Sequence, residues 1–145
     1  DRPEANAETF EDGWLKTGDV AYLDDEGYLF IVDRIKDLVI RGGENIGCAE
    51  VEAALLALDQ VLEASVYAVP DARLGEEVGA TLYSKRDLDI TEIQTQLAAH
   101  IAKFKIPRYI HLQAEPLPRI ASGKIDKRAL RSIAGSRLGL TDALV

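Results

Sequence analysis

One cysteine, two histidines and no methionine stand among the 145 residues, and each scarcity excludes something. Cys48 alone has no partner for an internal disulfide, so the chain is not a disulfide-stapled scaffold. No apolar run approaches membrane-spanning length, which argues against stable membrane insertion. The opening Asp1-Arg2-Pro3-Glu4 lacks the basic and apolar regions of a secretory signal, and the cytoplasm is the expected location. With no initiator Met, the chain reads as a fragment of something longer. Positive charge is in deficit too: 17 Lys and Arg face 25 Asp and Glu, for a net charge of −8. Long-range attraction to nucleic acid or to an anionic membrane is therefore disfavoured. What remains is a globular composition, 47% hydrophobic and 29% charged, long enough for one compact core or for a small domain carrying a piece of another.

Residues 1 to 19 read as irregular and acidic. Val20 to Leu23 and Tyr28 to Val32 flank the turn Asp24-Asp25-Glu26-Gly27 and predict a β-hairpin, which Asp33 to Asp37 interrupts with charge. After Leu38-Val39-Ile40, the stretch Arg41-Gly42-Gly43-Glu44-Asn45 predicts a tight, shaped loop, since two glycines permit backbone angles that a side chain forbids. From Ala49 onward Val51, Ala54, Leu55 and Leu58 recur at helical spacing. Val61 to Val69, ending at Pro70, and the alternating run at Val78, Ala80 and Leu82 predict strands. Thr91 and Glu92 open a second helix with a stripe of Ile93, Leu97, Ile101 and Phe104. A short strand over Tyr109 to Leu112 and a loop from Pro116 to Gly123 follow. Asp126 is placed to cap a last helix carrying Leu130 and Ile133. The order of elements predicts an α+β fold: a small sheet flanked by helices and preceded by the hairpin.

Several charged residues suit chemistry. Lys124, on a loop made flexible by Gly123, can extend an ammonium toward the negative charge that develops when a carboxylate attacks a phosphate. The plainer reading is a solvated basic face of Arg119, Lys124, Lys127, Arg128 and Arg131. Asp19, at the end of the Thr17-Gly18 turn, can accept hydrogen bonds from two vicinal ribose hydroxyls, and Arg34 can reach the same sugar or its phosphate. By itself the pair is equally a turn aspartate and a surface ion pair. Lys36, in a charged break between apolar runs, suits a hinge or a simple linker.

Taken in order, Gly13-Trp14 with Thr17-Gly18-Asp19, Gly27-Tyr28-Leu29, Asp33-Arg34-Ile35-Lys36-Asp37, Gly42-Gly43-Glu44-Asn45-Ile46, Glu50-Val51-Glu52 and Pro118 to Lys124 resemble the adenylate-forming superfamily. That superfamily comprises acyl-CoA synthetases, luciferases and peptide-synthetase adenylation domains. The resemblance covers nearly the whole chain, and the patterns at 33–38 and 42–46 look closer to fatty or aryl acid CoA ligases than to peptide-synthetase domains.

The resemblance implies that residues 1–35 are the tail of a large N-terminal adenylation domain and that 36–145 form a mobile C-terminal domain. Its implied reaction is carboxylate plus ATP to acyl-AMP and pyrophosphate, then thioester formation with CoA. By the same likeness Lys124 is the catalytic lysine, Asp19 and Arg34 contact the nucleotide, Lys36 is the hinge, and Gly42, Gly43, Glu44 and Asn45 line the pantetheine path. ATP, AMP and CoA are the implied ligands; Mg2+ would be held mainly by the large domain, with no metal ligand here. The implied partners are a small carboxylic acid and the chain's own N-terminal domain. Without that domain the complete reaction is not expected. Two other readings stay open, an adenylation domain loading a carrier-protein thiol and a non-enzymatic module that keeps the fold. Two positions depart from the pattern: Cys48 stands where relatives often have proline, and Ile120 where they are commonly polar. Cys48 reads as a small buried residue, and His100 and His111 as structural.

Overall fold

The computed structural model describes residues 2–139. Residue 1 and residues 140–145, the outer ends of the two expected segments, lie outside the described residues. In chain order the elements are α1 (Pro3–Thr9), β1 (Phe10–Glu11), β2 (Trp14–Leu15), β3 (Asp19–Leu23), β4 (Leu29–Arg34), β5 (Leu38–Arg41), β6 (Glu44–Gly47), α2 (Cys48–Leu56), β7 (Glu63–Asp71), β8 (Gly75–Tyr83), α3 (Ile90–Leu97), β9 (Tyr109–Gln113) and α4 (Lys127–Arg137).

The β7–β8 hairpin is the axis. Its nine-residue strands pair antiparallel from Glu63↔Tyr83 to Asp71↔Gly75. The other edge of β8 is shared by β9, which runs parallel to it, and by the end of β5, whose other side carries β6. Successive residues of β7 point to opposite faces, and both faces are covered. Ala64, Val66 and Ala68 join Val39, Val51, Leu55, Val78, Ala80, Leu82, Ile93 and Leu97 in one core, beneath α2 and α3. Tyr67 and Val69 face the opposite way and meet Leu117, Leu130 and Ala134 under α4. The expected small sheet flanked by helices is what forms. Pro70 continues β7 instead of ending it, because β7 is an edge strand and a missing N–H is tolerated there.

Other details differ from the sequence reading for definable reasons. Residues 1 to 19 are not all irregular: Pro3 at the first turn, Glu4 and two alanines form α1, and β1 pairs with β2. Asp33 and Arg34 do not interrupt the hairpin but lie in β4, opposite Val20 and Asp19, past a bulge at Val20/Ala21. Only Gly42 and Gly43 form the loop between β5 and β6, with Arg41 opposite Glu44 and Ile40 opposite Asn45. Helix α3 starts earlier than Thr91, because the Asp89 carboxylate accepts the Thr91 N–H at 2.8 Å, and it ends at Leu97. Ile101, whose N–H donates to Leu97 O at 3.0 Å, and Phe104, in a 3₁₀ turn after the extended Ala102, pack on the same core. On α4, capped as expected by Asp126, Leu130 and Ala134 face inward while Ile133 is exposed.

The β3–β4 hairpin lacks such cover. Leu29 is 63% and Ile31 64% exposed, with Tyr22, Leu23 and Val32 exposed beside them. Among the described residues no helix is long and apolar enough to cross a membrane.

Candidate functional site

Strand pairing brings Asp19 and Arg34 together. They are register partners in β3 and β4, and Arg34 Nε stands 3.2 Å from Asp19 Oδ1. The turn before Asp19 is set by Gly18, whose φ of +75° suits only glycine, and by the Asp19 N–H donating to Thr17 Oγ1 at 3.2 Å. The Ile35 N–H donates to Gly18 O at 2.8 Å, so the chain leaves the hairpin beside the same turn.

Lys36 follows at once, in a single 3₁₀ turn (Ile35–Asp37) between two extended residues, Arg34 and Leu38. Such a turn is held by few bonds of its own. The exposed Lys36 lines a cavity of about 310 Å³ together with Cys48, Tyr67, Glu76, Lys127 and Arg131. Asp33 reaches across this turn: its Oδ2 accepts the Ala49 N–H at 3.1 Å, supplying the cap that Gly47 lacks at the start of α2. Cys48, beside it, is buried, and burial pushes its thiol up to about 12 although Lys127 opposes the shift. It is not a nucleophile.

The two glycines between β5 and β6 form a two-residue hairpin turn with φ of +58° at Gly42 and +92° at Gly43. Positive φ at both positions matches the twist of the flanking strands and favours glycine. The glycines differ in surroundings. A Cβ on Gly42 would lie 3.0 Å from Leu74 Cδ2, whereas one on Gly43 would meet nothing within 4 Å. Glu44 and Asn45 follow on β6 with exposed side chains. On the other side of the turn Arg41 Nε lies 2.5 Å from Oε1 of Glu77, which is 1% exposed. The hydrogen bond from Arg41 to Glu77 outweighs burial and raises the guanidinium pKa further. Glu77 is buried and Arg41 partly exposed, so losing Arg41 would leave the carboxylate without its close partner away from water.

Lys124 stands on the loop between β9 and α4. The Ile120 N–H donates to Lys124 O and the Gly123 N–H to Ile120 O, both at 2.9 Å, closing a tight turn. Glu63, at the start of β7, anchors it: one carboxylate oxygen accepts the Leu117 N–H at 2.7 Å, the other accepts Arg119 Nη2 at 2.6 Å. Burial works to raise the pKa of Glu63, and these donors outweigh it, holding the carboxyl below its usual range. Three of the five residues of the plainer reading, a solvated basic face, have acidic partners. Arg119 is bound to Glu63, Lys127 to Glu52 at 2.9 Å, and Arg131 lies 3.9 Å from Glu76. Burial disfavours the charge on Lys127, but Glu52 prevails and raises its pKa. Lys124 is exposed, and among the described residues its ammonium has no hydrogen bond or ion pair.

The nominated residues thus fall into three groups: Asp19 with Arg34 beside Lys36, the Gly42–Asn45 turn, and Lys124. Among the described residues no hydrogen bond or ion pair joins one group's side chains to another's. Glu63, Glu77 and Asp33 were missed as site residues by sequence reasoning. The available signal was an acidic side chain inside a strand of apolar neighbours, at Glu63 and Glu77. His111 lies on β9 beside Arg137, and burial with that cation lowers its pKa. Among the described residues no three His, Cys, Asp or Glu side chains converge as a metal site would require.

A model of the AMP-binding enzyme C-terminal domain matches residues 50–124, so its last matched residue is Lys124. The 2-succinylbenzoate–CoA ligase of Bacillus pumilus is 45% identical over 131 residues, 90% of this chain and 27% of that protein. The long-chain-fatty-acid–CoA ligase FadD13 of Mycobacterium tuberculosis is 39% identical over 131 residues, 90% of this chain and 26% of that protein. Among solved structures, o-succinylbenzoate CoA synthetase from Bacillus subtilis in complex with its acyl-adenylate intermediate superposes with a TM-score of 0.82 at 42% identity. That likeness covers 90% of this chain and 27% of that one. The chain spans about a quarter of the length of these relatives.

Proposed function

The chain belongs to the AMP-binding enzyme C-terminal domain family, and from that premise we propose that it is the C-terminal part of an ATP-dependent acid–CoA ligase. A carboxylate oxygen attacks the α-phosphorus of ATP, pyrophosphate leaves, and an acyl-adenylate forms. The CoA thiol then gives up its proton, its sulfur attacks the acyl carbon, and AMP departs. The CoA ligases among the relatives support CoA over a carrier-protein thiol, and with FadD13 an acyl acid of fatty acid metabolism. We place the enzyme in the cytoplasm.

The observation that carries this reading is Lys124, an ammonium without a partner among the described residues, at the tip of a turn whose neighbouring arginine is tied to Glu63. A free cation on an anchored loop suits the charge that builds between carboxylate and α-phosphate in the first step. Asp19 accepts from the ribose hydroxyls, and Arg34 donates beside it. Residues 1–35 are assigned to the large domain and 36–145 to the small one. The exposed apolar side chains of β3 and β4 support that division, since a two-stranded hairpin with uncovered Leu29 and Ile31 calls for a partner surface. The chain's own large domain is that partner.

Distance supports a rotation at Lys36, the assigned hinge. Lys124 is anchored at Glu63, and the glycine turn is held by Glu77, which pairs with Val69 in the hairpin register. Six residues of extended chain separate the anchors, about 20 Å at roughly 3.3 Å per residue. A separation of that size supports a turn of the domain between the two steps. Replacing Lys124 tests the assignment: in the full-length protein Lys124→Ala should slow pyrophosphate release by about 10²–10³-fold, the scale for losing one charge-stabilising group. Thioester formation from a supplied acyl-adenylate should change far less. Equal losses in both steps would refute the role.

A further inference from the structure

Glu77 is a buried carboxylate. It sits on β8 beside Val78 with 1% of its surface exposed, and its Oε2 has no hydrogen-bond partner among the described residues. Its Oε1 takes Arg41 Nε at 2.5 Å, across 36 residues of sequence, and the Val78 N–H at 3.0 Å. The second cation near it, Arg108 Nη1, stays 3.9 Å from Oε2 and 3.7 Å from Asp71. Desolvating a carboxylate is unfavourable unless its partner is held well, and in some proteins such pairs serve to fix register.

The register in question is that of the glycine turn. Four successive residues after the β7–β8 bend grip its leading side. Leu74 O accepts the Gly42 N–H at 2.8 Å, Gly75 pairs with Arg41, Glu76 Oε2 accepts the Ile40 N–H at 2.7 Å, and Glu77 holds the Arg41 side chain. Asp71 stiffens the bend itself, accepting the Arg73 and Leu74 N–H groups at 3.0 and 2.9 Å. Nothing comparable touches Gly43, whose Cβ position is open for 4 Å around. The turn therefore has a fixed side and a vacant side. A flexible two-glycine turn would otherwise sample many backbone states.

We propose that Glu77, acting through Arg41, is a positioning residue for the thioester-forming step, fixing the Gly42–Gly43 turn so that its open side admits the acceptor's pantetheine arm. The proposal rests on the reading of that turn as the pantetheine path. Glu77 does not touch a reacting atom; its effect is on where the thiol arrives. A loss of this kind raises the KM for CoA without slowing adenylation, whereas a merely destabilised domain delivers Lys124 poorly as well.

Both half-reactions of the full-length protein separate these cases. Adenylation is read as pyrophosphate release without CoA, and the second step as thioester formation from supplied acyl-adenylate at varied CoA. Glu77→Gln, which keeps shape and removes charge, should raise the KM for CoA about tenfold and leave pyrophosphate release within twofold, a factor of ten being 1.4 kcal/mol. If that variant does not fold, Arg41→Lys keeps the charge but loses the planar fork and should show the same split at smaller size. Parallel losses in the two steps, or an unaltered KM, would overturn the proposal. Gly43→Ala is measured alongside to probe the open side directly. If Gly43→Ala raises the KM for CoA and the Glu77 and Arg41 variants do not, the bracket is wrong and the path stands. Should Gly43→Ala leave the CoA step untouched, the path reading fails and the proposal falls with it.

Discussion

The two ends of the β7–β8 hairpin hold the two candidate functional loops in different ways. At the Glu63 end, Lys124's loop is tied by Leu117 N–H and by Arg119, a side chain that is 46% exposed. At the bend, the glycine turn is tied through Glu77 at 1% exposure, Glu76 and the backbone of Leu74. Of the two ion pairs, Arg119–Glu63, with side chains 46% and 20% exposed, is more open to water than Arg41–Glu77, at 26% and 1%. A lysine that must reach into a pocket gains from a yielding tether. A turn that forms one wall of a passage gains from a stiff one.

The largest test of that contrast is energetic. Arg41→Ala strands the buried Glu77 carboxylate without its close partner, and domain stability should fall by about 3–5 kcal/mol. Arg119→Ala removes a half-exposed partner and should cost no more than about 1 kcal/mol. Urea unfolding of the two variants measures both. Equal losses would mean that the ends are equally stiff, and the contrast would be wrong.

Acid supplies a second, smaller test, confined to the Lys124 end. Leu117 and Arg119 hold the folded carboxyl of Glu63 below its ordinary value, against the effect of burial. A carboxyl depressed by folding stabilises the folded state above its unfolded pKa, about 4.3 for glutamate, and loses that contribution as pH falls through the folded value. The urea-midpoint gap between the parent protein and Glu63→Gln should hold steady through neutral pH and shrink below about pH 4.3. A gap that ignores acid would show that the Glu63 carboxylate contributes nothing as an anchor.

These anchors were hidden in the sequence for a reason that the fold makes plain. Helix α2, strands β7 and β8, the glycine turn and the Asp126 cap are local patterns, a period or a turn residue within a few positions, and all were legible. Glu77 and Arg41 are 36 residues apart and Glu63 and Arg119 are 56 apart, so only the assembled sheet reveals either pair. The parallel direction of β9 against β8 is likewise decided by where α3 returns the chain. Helix α1 buries no residue and so leaves no periodic signature. At Ile133 the period was seen but its phase was not, because i+3 and i+4 both suit a stripe from Leu130 and docking selects Ala134. The motifs at Asp19, Arg34, Lys36, Gly42–Asn45 and Lys124 were visible as residue types in order, while the placing of the glycine turn and the Lys124 loop at opposite ends of the β7–β8 hairpin was not.

The smallest effect belongs to Ile120, the apolar residue beside Lys124. Its backbone closes the turn through bonds with Lys124 and Gly123, and its side chain is 47% exposed and absent from both cores. If polar links alone hold this end, Ile120→Ser should change stability by no more than about 0.5 kcal/mol, as for an ordinary surface position. Pyrophosphate release by the full-length protein should also stay within twofold. A clear loss of that step at unchanged stability would mean that Ile120 packs on the large domain as Lys124 enters. The tether would then be yielding only while the domain is undocked, and the stiffness contrast would belong to one stage of the cycle and not to the fold.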